Sequence, residues 1–398
     1  MSQPQKQHLI DPEICIRCYT CEMTCSLGAI EHDDNNVVVN PDLCEFCMDC
    51  IPVCPTGSID EWRVVSSTYT TERQFSFLEL PVQEDMASTS AGGESDFEAF
   101  DEAVSILLAK AHQGTGGKPV APASAAKPTI NIYSPSKPGE AIVQGNYRLT
   151  LNGDVADVRH IILNLGSLAM PVLEGQNIGV IPPGTDENGQ PHLPRLYSVS
   201  SPRDGERPNF NNLSLTVKRE ENGICSNYVC DLKKGDKVKV TGPFGATFLL
   251  PEDPHARLLM VCTGTGSAPF RAFTMRRQRT SATTQGGMTL FFGARSPDSL
   301  PYFGPLKKMP KEMLHTFLVF SRLPGQPKEY VQDRMLVERE TVGDLLSDRN
   351  THIYICGLRG MEAGVESALT EIAGDIGADW SALRDTMRIE GRYHVETY

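Results

Sequence analysis

From about Ile130 to Leu250 apolar and polar residues alternate between Gly/Pro turns. Examples are Val158-Arg159-His160-Ile161-Ile162-Leu163 and Leu213-Ser214-Leu215-Thr216-Val217-Lys218. Alternation with period two predicts half-buried strands, and many short ones at this spacing predict an antiparallel β-barrel. After Pro251 the pattern changes. Leu258-Leu259-Met260-Val261-Cys262 is a continuous apolar run, as expected of a strand covered on both faces. It leads into Thr263-Gly264-Thr265-Gly266-Ser267-Ala268-Pro269 and then a helical stretch through Arg271 and Arg276. More strands are predicted at Met288–Gly293, Thr316–Phe320 and His352–Cys356, separated by helical segments, which makes a parallel α/β sheet. Strand, glycine turn and helix is a dinucleotide-binding order, although Pro269 stands where a third glycine would be.

The chain ahead of residue 130 has a different texture. Trp62-Arg63-Val64-Val65 is strand-like. Ser88-Thr89-Ser90-Ala91-Gly92-Gly93 is loop-like, and Gly114-Thr115-Gly116-Gly117 followed by Pro119, Pro122 and Pro128 reads as a flexible or extended tether. Between them Ser95 and Glu98 form a capping box, and Phe97, Phe100, Val104, Leu107 and Leu108 recur on one face. That predicts one helix, docked on its own chain or else on a partner. The chain is therefore multidomain: 1–80, a linker over 81–129, a barrel domain over 130–254 and an α/β domain over 255–398.

Composition narrows the function classes. The 398 residues carry a formal net charge of −13. No run approaches the ~18–20 apolar residues that span a bilayer. Met1-Ser2-Gln3-Pro4-Gln5-Lys6 has no apolar h-region, so a cytoplasmic protein without a membrane partner is expected. Residues 1–60 hold two bases and ten acids, residues 61–128 five bases and ten acids, and the remainder is neutral. Such a surface excludes nucleic acid as the main partner. It either confers solubility or steers a basic docking patch.

Eight of the twelve cysteines lie in the first 54 residues, as Cys15-x2-Cys18-x2-Cys21-x3-Cys25 and Cys44-x2-Cys47-x2-Cys50-x3-Cys54. This spacing is that of the two-cluster bacterial ferredoxins, small α+β modules. The likeness implies two 4Fe–4S clusters, one on Cys15, Cys18, Cys21 and Cys54, the other on Cys44, Cys47, Cys50 and Cys25. Each fourth cysteine is expected to begin a helix and reach across to the other cluster. Four disulfides and zinc are the competing readings. A reducing cytosol disfavours the first, and zinc favours paired CxxC knuckles. Ser26 follows the first run where Pro55 follows the second, a position that supplies no ligand. The halves repeat with a period of 29 residues, and Gly28-Ala29-Ile30 and Gly57-Ser58-Ile59 each read as a turn into a short strand.

Two segments of the barrel region carry further chemistry. Arg195-Leu196-Tyr197-Ser198 offers a cation, an aromatic face and a hydroxyl. Gly223-Ile224-Cys225-Ser226-Asn227-Tyr228-Val229 is a turn into a helix whose free N–H groups suit a pyrophosphate. These segments stand in order with Gly175–Gly184, Thr263–Pro269, Cys356-Gly357-Leu358 and Tyr393–Tyr398, and in that order residues from about 140 to 398 resemble the plant-type ferredoxin–NADP reductase family. The resemblance implies FAD bound by Arg195, Leu196, Tyr197, Ser198, Gly223, Ile224, Cys225 and Ser226. It implies Ser198, Cys356 and Glu396 beside the flavin, with Tyr398 covering the ring and yielding to nicotinamide. Thr263, Gly264, Gly266 and Gly357 would meet the dinucleotide. Ser321, Arg322, Lys328, Tyr330 and Gln332 would clamp a 2′-phosphate, since no acid follows Phe320, and NADPH is the expected donor. Cys230 and Cys262 match nothing catalytic and are read as core or surface thiols.

The order of parts implies a circuit in which NADPH gives two electrons to FAD and the clusters relay them singly. A two-cluster ferredoxin ahead of such a reductase resembles the reductase components that serve benzoyl-CoA epoxidation. That resemblance implies a separate di-iron oxygenase as acceptor, in aerobic degradation of aromatic acids. A general NADPH–ferredoxin reductase with a fused ferredoxin is the alternative, and a nucleotide-binding iron–sulfur sensor a more distant one.

Overall fold

A computed structural model describes residues 5–51, 53–59, 63–81, 106, 119–151, 156–186, 189–208, 210–281, 284–302, 306 and 308–398. The helix expected at 95–108, apart from Ile106, and the Gly114–Gly117 stretch lie outside the described residues.

In the first module β1 (Gln5–Gln7) pairs antiparallel with β4 (Arg63–Val65), and β2 (Ile30–His32) with β3 (Val37–Val39). Two short helices, α1 (Thr20–Thr24) and α2 (Thr71–Phe75), complete it. Its core holds Ile10, Ile30, Val37, Val39 and Ile59, with the cysteines packed round them. So small an apolar core needs a staple. The fourth cysteines do not begin helices. α1 ends before Cys25, whose N–H bonds the carbonyls of Cys21 and Glu22 in an extended cap, and Cys54 closes a turn begun at Ile51. The reason is the left-handed glycine three residues on in each half, Gly28 and Gly57, which turns the chain before a helix can form.

The second module is a six-stranded antiparallel sheet of β5 (Gly139–Arg148), β6 (Val158–Asn164), β7 (Asn177–Ile181), β8 (Arg195–Ser198), β9 (Asn212–Lys218) and β10 (Lys237–Phe244). The order is β8-β7-β10-β5-β6-β9. A bridge between Val199 and Leu215 joins the two edges, which closes the barrel. Inward positions such as Ile161, Leu163, Ile178, Val180, Leu215 and Val217 fill it. The helix α3 (Ile224–Asp231) follows β9.

The third module is a parallel sheet of β11 (Arg257–Thr263), β12 (Met288–Ala294), β13 (Leu314–Phe320), β14 (Thr351–Gly357) and β15 (Tyr393–Thr397), ordered β13-β12-β11-β14-β15. The apolar run of β11 divides its side chains between two cores. Leu259 and Val261 pack with the helices α5 (Val331–Val337), α6 (Arg339–Ser347), α7 (Arg359–Asp375) and α8 (Trp380–Ile389). Leu258, Met260 and Cys262 pack with Phe270 and Phe273 of α4 (Ser267–Arg279). The direction of strand addition reverses between β11 and β14, so a crevice opens at their carboxyl ends.

Barrel and α/β module are fastened by buried charges. Arg271 of α4 pairs with Glu206 at 2.7 Å, and His160 of β6 lies 3.2 Å from the same carboxylate. Burial opposes ionisation of Glu206, but bonds from His160 and Arg271 outweigh it and hold the carboxyl far below its ordinary range. Tyr302 completes the clasp, its hydroxyl bonding His160 at 3.0 Å and Thr216 at 2.5 Å. Residues 119–129 lie on this body with a turn at Pro122–Ala125: Ala125 bridges Pro251, and the Ser124 hydroxyl accepts the Asp253 N–H at 3.2 Å. The first module touches the barrel through β1, where Gln5 bridges Leu168 and Lys6 reaches Asn211. Among the described residues no helix is long and apolar enough to cross a membrane.

Candidate functional site

A cleft of about 580 Å³ runs between barrel and α/β module, within the range of small-molecule sites. Strand β8 delivers Arg195, Leu196, Tyr197 and Ser198 to one wall, and the turn and first residues of α3 deliver Gly223, Ile224, Cys225 and Ser226 to another. Free N–H groups at the start of α3 make that wall suited to a pyrophosphate. The buried side-chain nitrogen of Asn177, which also lines the cleft, has no hydrogen-bond partner among the described residues. A donor left in this way marks a wall built for a polar ligand. Cys225 is buried and its thiol bonds the Val180 carbonyl at 3.4 Å.

The cleft's far end joins the two modules atom to atom. Ser198 donates its hydroxyl to Glu396 at 3.1 Å, across 198 positions of sequence. Glu396 lies on β15 opposite Cys356 of β14. Tyr398 is half-exposed; its hydroxyl shares a hydrogen bond with Thr265 at 2.8 Å and its N–H bonds the Gly357 carbonyl. Ser198, Glu396, Tyr398 and Thr265 thus form one cluster. Cys356 does not line the cleft. It is fully buried, and burial pushes its thiol well up. Its backbone matters more: a Cβ on Gly266 would overlap the Cys356 carbonyl, and one on Gly357 would fall 2.7 Å from the Thr263 hydroxyl. Only glycine at both points lets the carboxyl ends of β11 and β14 come this close. Thr263 and Gly264 begin the turn there, and the Thr263 hydroxyl is buried without a partner among the described residues. Thr265 was not foreseen as functional, though it sits inside the quoted glycine turn.

The clamp residues lie apart from this cleft. Ser321 and Arg322 follow β13, held by backbone bonds to Ala294 and Arg295. Lys328 is exposed, Tyr330 is half-exposed at the N-terminus of α5, and Gln332 packs against Gly364. They follow the carboxyl end of β13, and the carboxylate among them, Glu329, is paired with Arg334 at 2.6 Å. Cys230 and Cys262 are buried.

In the first module the cysteine loops have a shared geometry. Arg17, Tyr19, Phe46 and Met48 have left-handed φ of 52°, 58°, 57° and 69°. They flank Cys18 and Cys47 at positions one repeat apart. Non-glycine residues held there cost about 1–2 kcal/mol each. Alternating handedness of this kind turns successive N–H groups inward, a concavity found at iron–sulfur sites. Cys25, Cys44, Cys47 and Cys50 line one small cavity. Cys54 instead interacts electrostatically with Cys18 and Cys21. The N–H of Ala29 bonds the Cys25 sulfur and that of Ser58 bonds the Cys54 sulfur, both at 3.3 Å. Burial pushes the thiols of Cys21 and Cys50 up to about 11 and 12. At Cys54 burial is outweighed by bonds from Ser58 and Thr56, which bring the thiol to about 7. Sulfur donors held by bonded loops suit iron–sulfur ligation, which requires thiolates.

Comparison with known proteins agrees with this division. A family model described as "4Fe-4S dicluster domain" matches residues 14–58, and one described as "Oxidoreductase NAD-binding domain" matches residues 260–367. The ferredoxin–NADP reductase of Thermosynechococcus vestitus is 40% identical over 289 residues, covering 68% of this chain and 75% of its own. The chain belongs to the ferredoxin–NADP reductase family. A second ferredoxin–NADP reductase, from a Spirulina species, is 39% identical over 288 residues and is covered over 98% of its length. Among solved structures the Plasmodium falciparum ferredoxin–NADP+ reductase with 2′P-AMP superposes with a TM-score of 0.55 at 25% identity, over 68% of this chain and 100% of that one. The chain is thus an oxidoreductase of this family carrying a 4Fe–4S ferredoxin-type domain ahead of the reductase.

Proposed function

We propose that the protein takes electrons from NADPH onto FAD in the barrel cleft and passes them through two 4Fe–4S clusters to a separate protein. The observation that carries this reading is the single cleft joining Arg195–Ser198, Gly223–Ser226, Glu396 and Tyr398, in a chain that also holds two equivalent cysteine loops. FAD, when bound, supplies two-electron acceptance and one-electron release. The protein's own residues do the rest. Arg195 and the α3 N-terminus would hold the phosphates of FAD, and Tyr197 would offer an aromatic face to its ring system. Ser198 and Glu396 keep a hydrogen-bonded proton at the point where nicotinamide approaches, and Tyr398 covers that point until it is displaced. Cys356 supports Glu396 from the neighbouring strand. Thr263, Gly264, Gly266 and Gly357 let the dinucleotide backbone approach the crevice. Ser321, Arg322, Lys328, Tyr330 and Gln332 recognise the 2′-phosphate, a reading supported by the relative solved with 2′P-AMP. Cys15, Cys18, Cys21 and Cys54 hold one cluster, and Cys44, Cys47, Cys50 and Cys25 the other.

The acceptor we infer is a di-iron oxygenase that epoxidises benzoyl-CoA in aerobic aromatic degradation. The order of modules supports it. A general NADPH–ferredoxin reductase is favoured instead by the 40% identity to ferredoxin–NADP reductases. One experiment separates them. A source-cell extract depleted of this protein is given NADPH, O2 and benzoyl-CoA, and the oxygenated CoA product is assayed on adding the protein back. Restored product supports the oxygenase partner. Absent product with intact NADPH-dependent dye and ferredoxin reduction supports the general reductase.

A further inference from the structure

The two cysteine loops share a backbone but differ in what surrounds their sulfurs. The Thr20 hydroxyl bonds Cys18 at 3.4 Å, and at Cys54 the hydroxyls of Thr56 and Ser58 lie 3.7 and 3.2 Å from the sulfur. One repeat of 29 residues away, the positions matching Thr20, Thr56 and Ser58 are Asp49, Leu27 and Ala29. The second sulfur set therefore gains no hydroxyl from those places. At Cys47 it gains the Asp49 carboxylate, which faces the thiol. Cys18 is also exposed, whereas none of the second set is.

We propose that Thr20, Thr56, Ser58 and Asp49 make the Cys15–Cys18–Cys21–Cys54 site the more easily reduced of the two. The proposal rests on the two-cluster reading above. A donor on a thiolate draws off negative charge and favours the reduced state, as does exposure to water; a nearby carboxylate opposes it. One cation, Lys6 beside Cys44, favours the second site and so works against this difference. Arg17 stands inside the first loop, bonded to the carbonyls of Asp34 and Asn35. Glu45 adds a further negative charge to the second loop, at the position matched by Ile16 in the first. Glu22, beside Cys21, is paired with His32 at 2.8 Å.

NADPH supplies the electrons, two per hydride. In an exchange between the sites one electron leaves the Cys44 side and one arrives on the Cys15 side; no bond breaks and no proton moves. A shared electron should occupy the first site about ten times as often as the second, a separation of about 59 mV for a one-electron couple.

The test is an anaerobic redox titration of the full-length protein followed by electron paramagnetic resonance, alongside iron and sulfide analysis. The expected result is two resolved one-electron steps. The double variant Thr56→Ala with Ser58→Ala should move the first step toward the second, and Asp49→Asn should do the same from the other side. The reciprocal graft, Leu27→Thr with Ala29→Ser, should raise the second step, an outcome that a merely structural role would not give. The graft also decides the matter if the alanine variant fails to assemble. Coincident steps in the wild type, or a graft that binds its clusters and leaves the second step in place, would overturn the proposal. Iron for one cluster per chain would overturn the two-cluster reading itself.

Discussion

The Ser198–Glu396 hydrogen bond sets the chemistry of the cleft's far end, because it ties a hydroxyl of the barrel to a carboxylate of the last strand. Glu396→Gln is expected to slow reduction of bound flavin by NADPH on the order of 100-fold, as loss of a positioned proton relay does, with FAD content unchanged. Stopped-flow absorbance would show it; a wild-type rate would remove Glu396 from the path. Arg322→Ala should raise the KM for NADPH roughly 30-fold, the equivalent of a charged hydrogen bond of about 2 kcal/mol, and leave that for NADH alone. Equal losses with both donors would count against a phosphate contact. Single residues were unevenly legible. The tetrad Arg195–Ser198 stood out by its side-chain types, and the fold places it in the wall of the cleft. Cys356, expected beside the flavin, is instead fully buried outside the cleft lining, with its carbonyl against Gly266. Backbone contacts of that kind leave no mark on residue type except the glycine opposite.

Periodicity carried most of the elements. The alternation of Val158–Leu163 and Leu213–Lys218 became β6 and β9, and the apolar runs became β11, β12 and β14, because burial on one or both faces is a composition-level fact. Strand β15 was harder to foresee: Tyr393-His394-Val395-Glu396-Thr397 mixes charge and apolar residues, since it is both a strand of the sheet and a wall of the site. The helices expected at Cys25 and Cys54 failed because a left-handed glycine three residues later outranks local propensity. The Pro-rich stretch after residue 118 reads as tether by composition, yet Ser124 and Ala125 find partners on the reductase that only the tertiary fold supplies. The close approach of β11 and β14 makes a sharp expectation. Gly266→Ala should cost about 1–3 kcal/mol and weaken NADPH binding, because the strand ends must part. Thermal unfolding and nucleotide titration would measure both, and an unchanged Tm would show that the strands yield freely.

Three modules meet in one chain, and their joints differ in kind. Barrel and α/β module are clasped by Glu206, Arg271, His160 and Tyr302. Because the folded Glu206 carboxyl lies below its unfolded value of about 4.5, its contribution is fully present above that pH and is lost as the pH falls below it. Glu206→Gln should cost about 3 kcal/mol at neutral pH by leaving Arg271 buried and unpaired, and should flatten the acid side of the stability profile. An acid limb as steep as the wild type's would place that dependence elsewhere. The first module leans on its sulfur sites instead of a large core. Chelating its iron should expose residues 5–81 to protease while residues 130–398 stay resistant. Joint cleavage of both parts would show that they fold as one unit.

The left-handed residues of the cysteine loops bear on how the protein is made. Without a group inside the curl they make, Arg17, Tyr19, Phe46 and Met48 gain nothing that offsets the cost of a left-handed backbone. The loops are therefore expected to take this shape only as iron and sulfide arrive, so the yield of working protein in a cell should follow their supply.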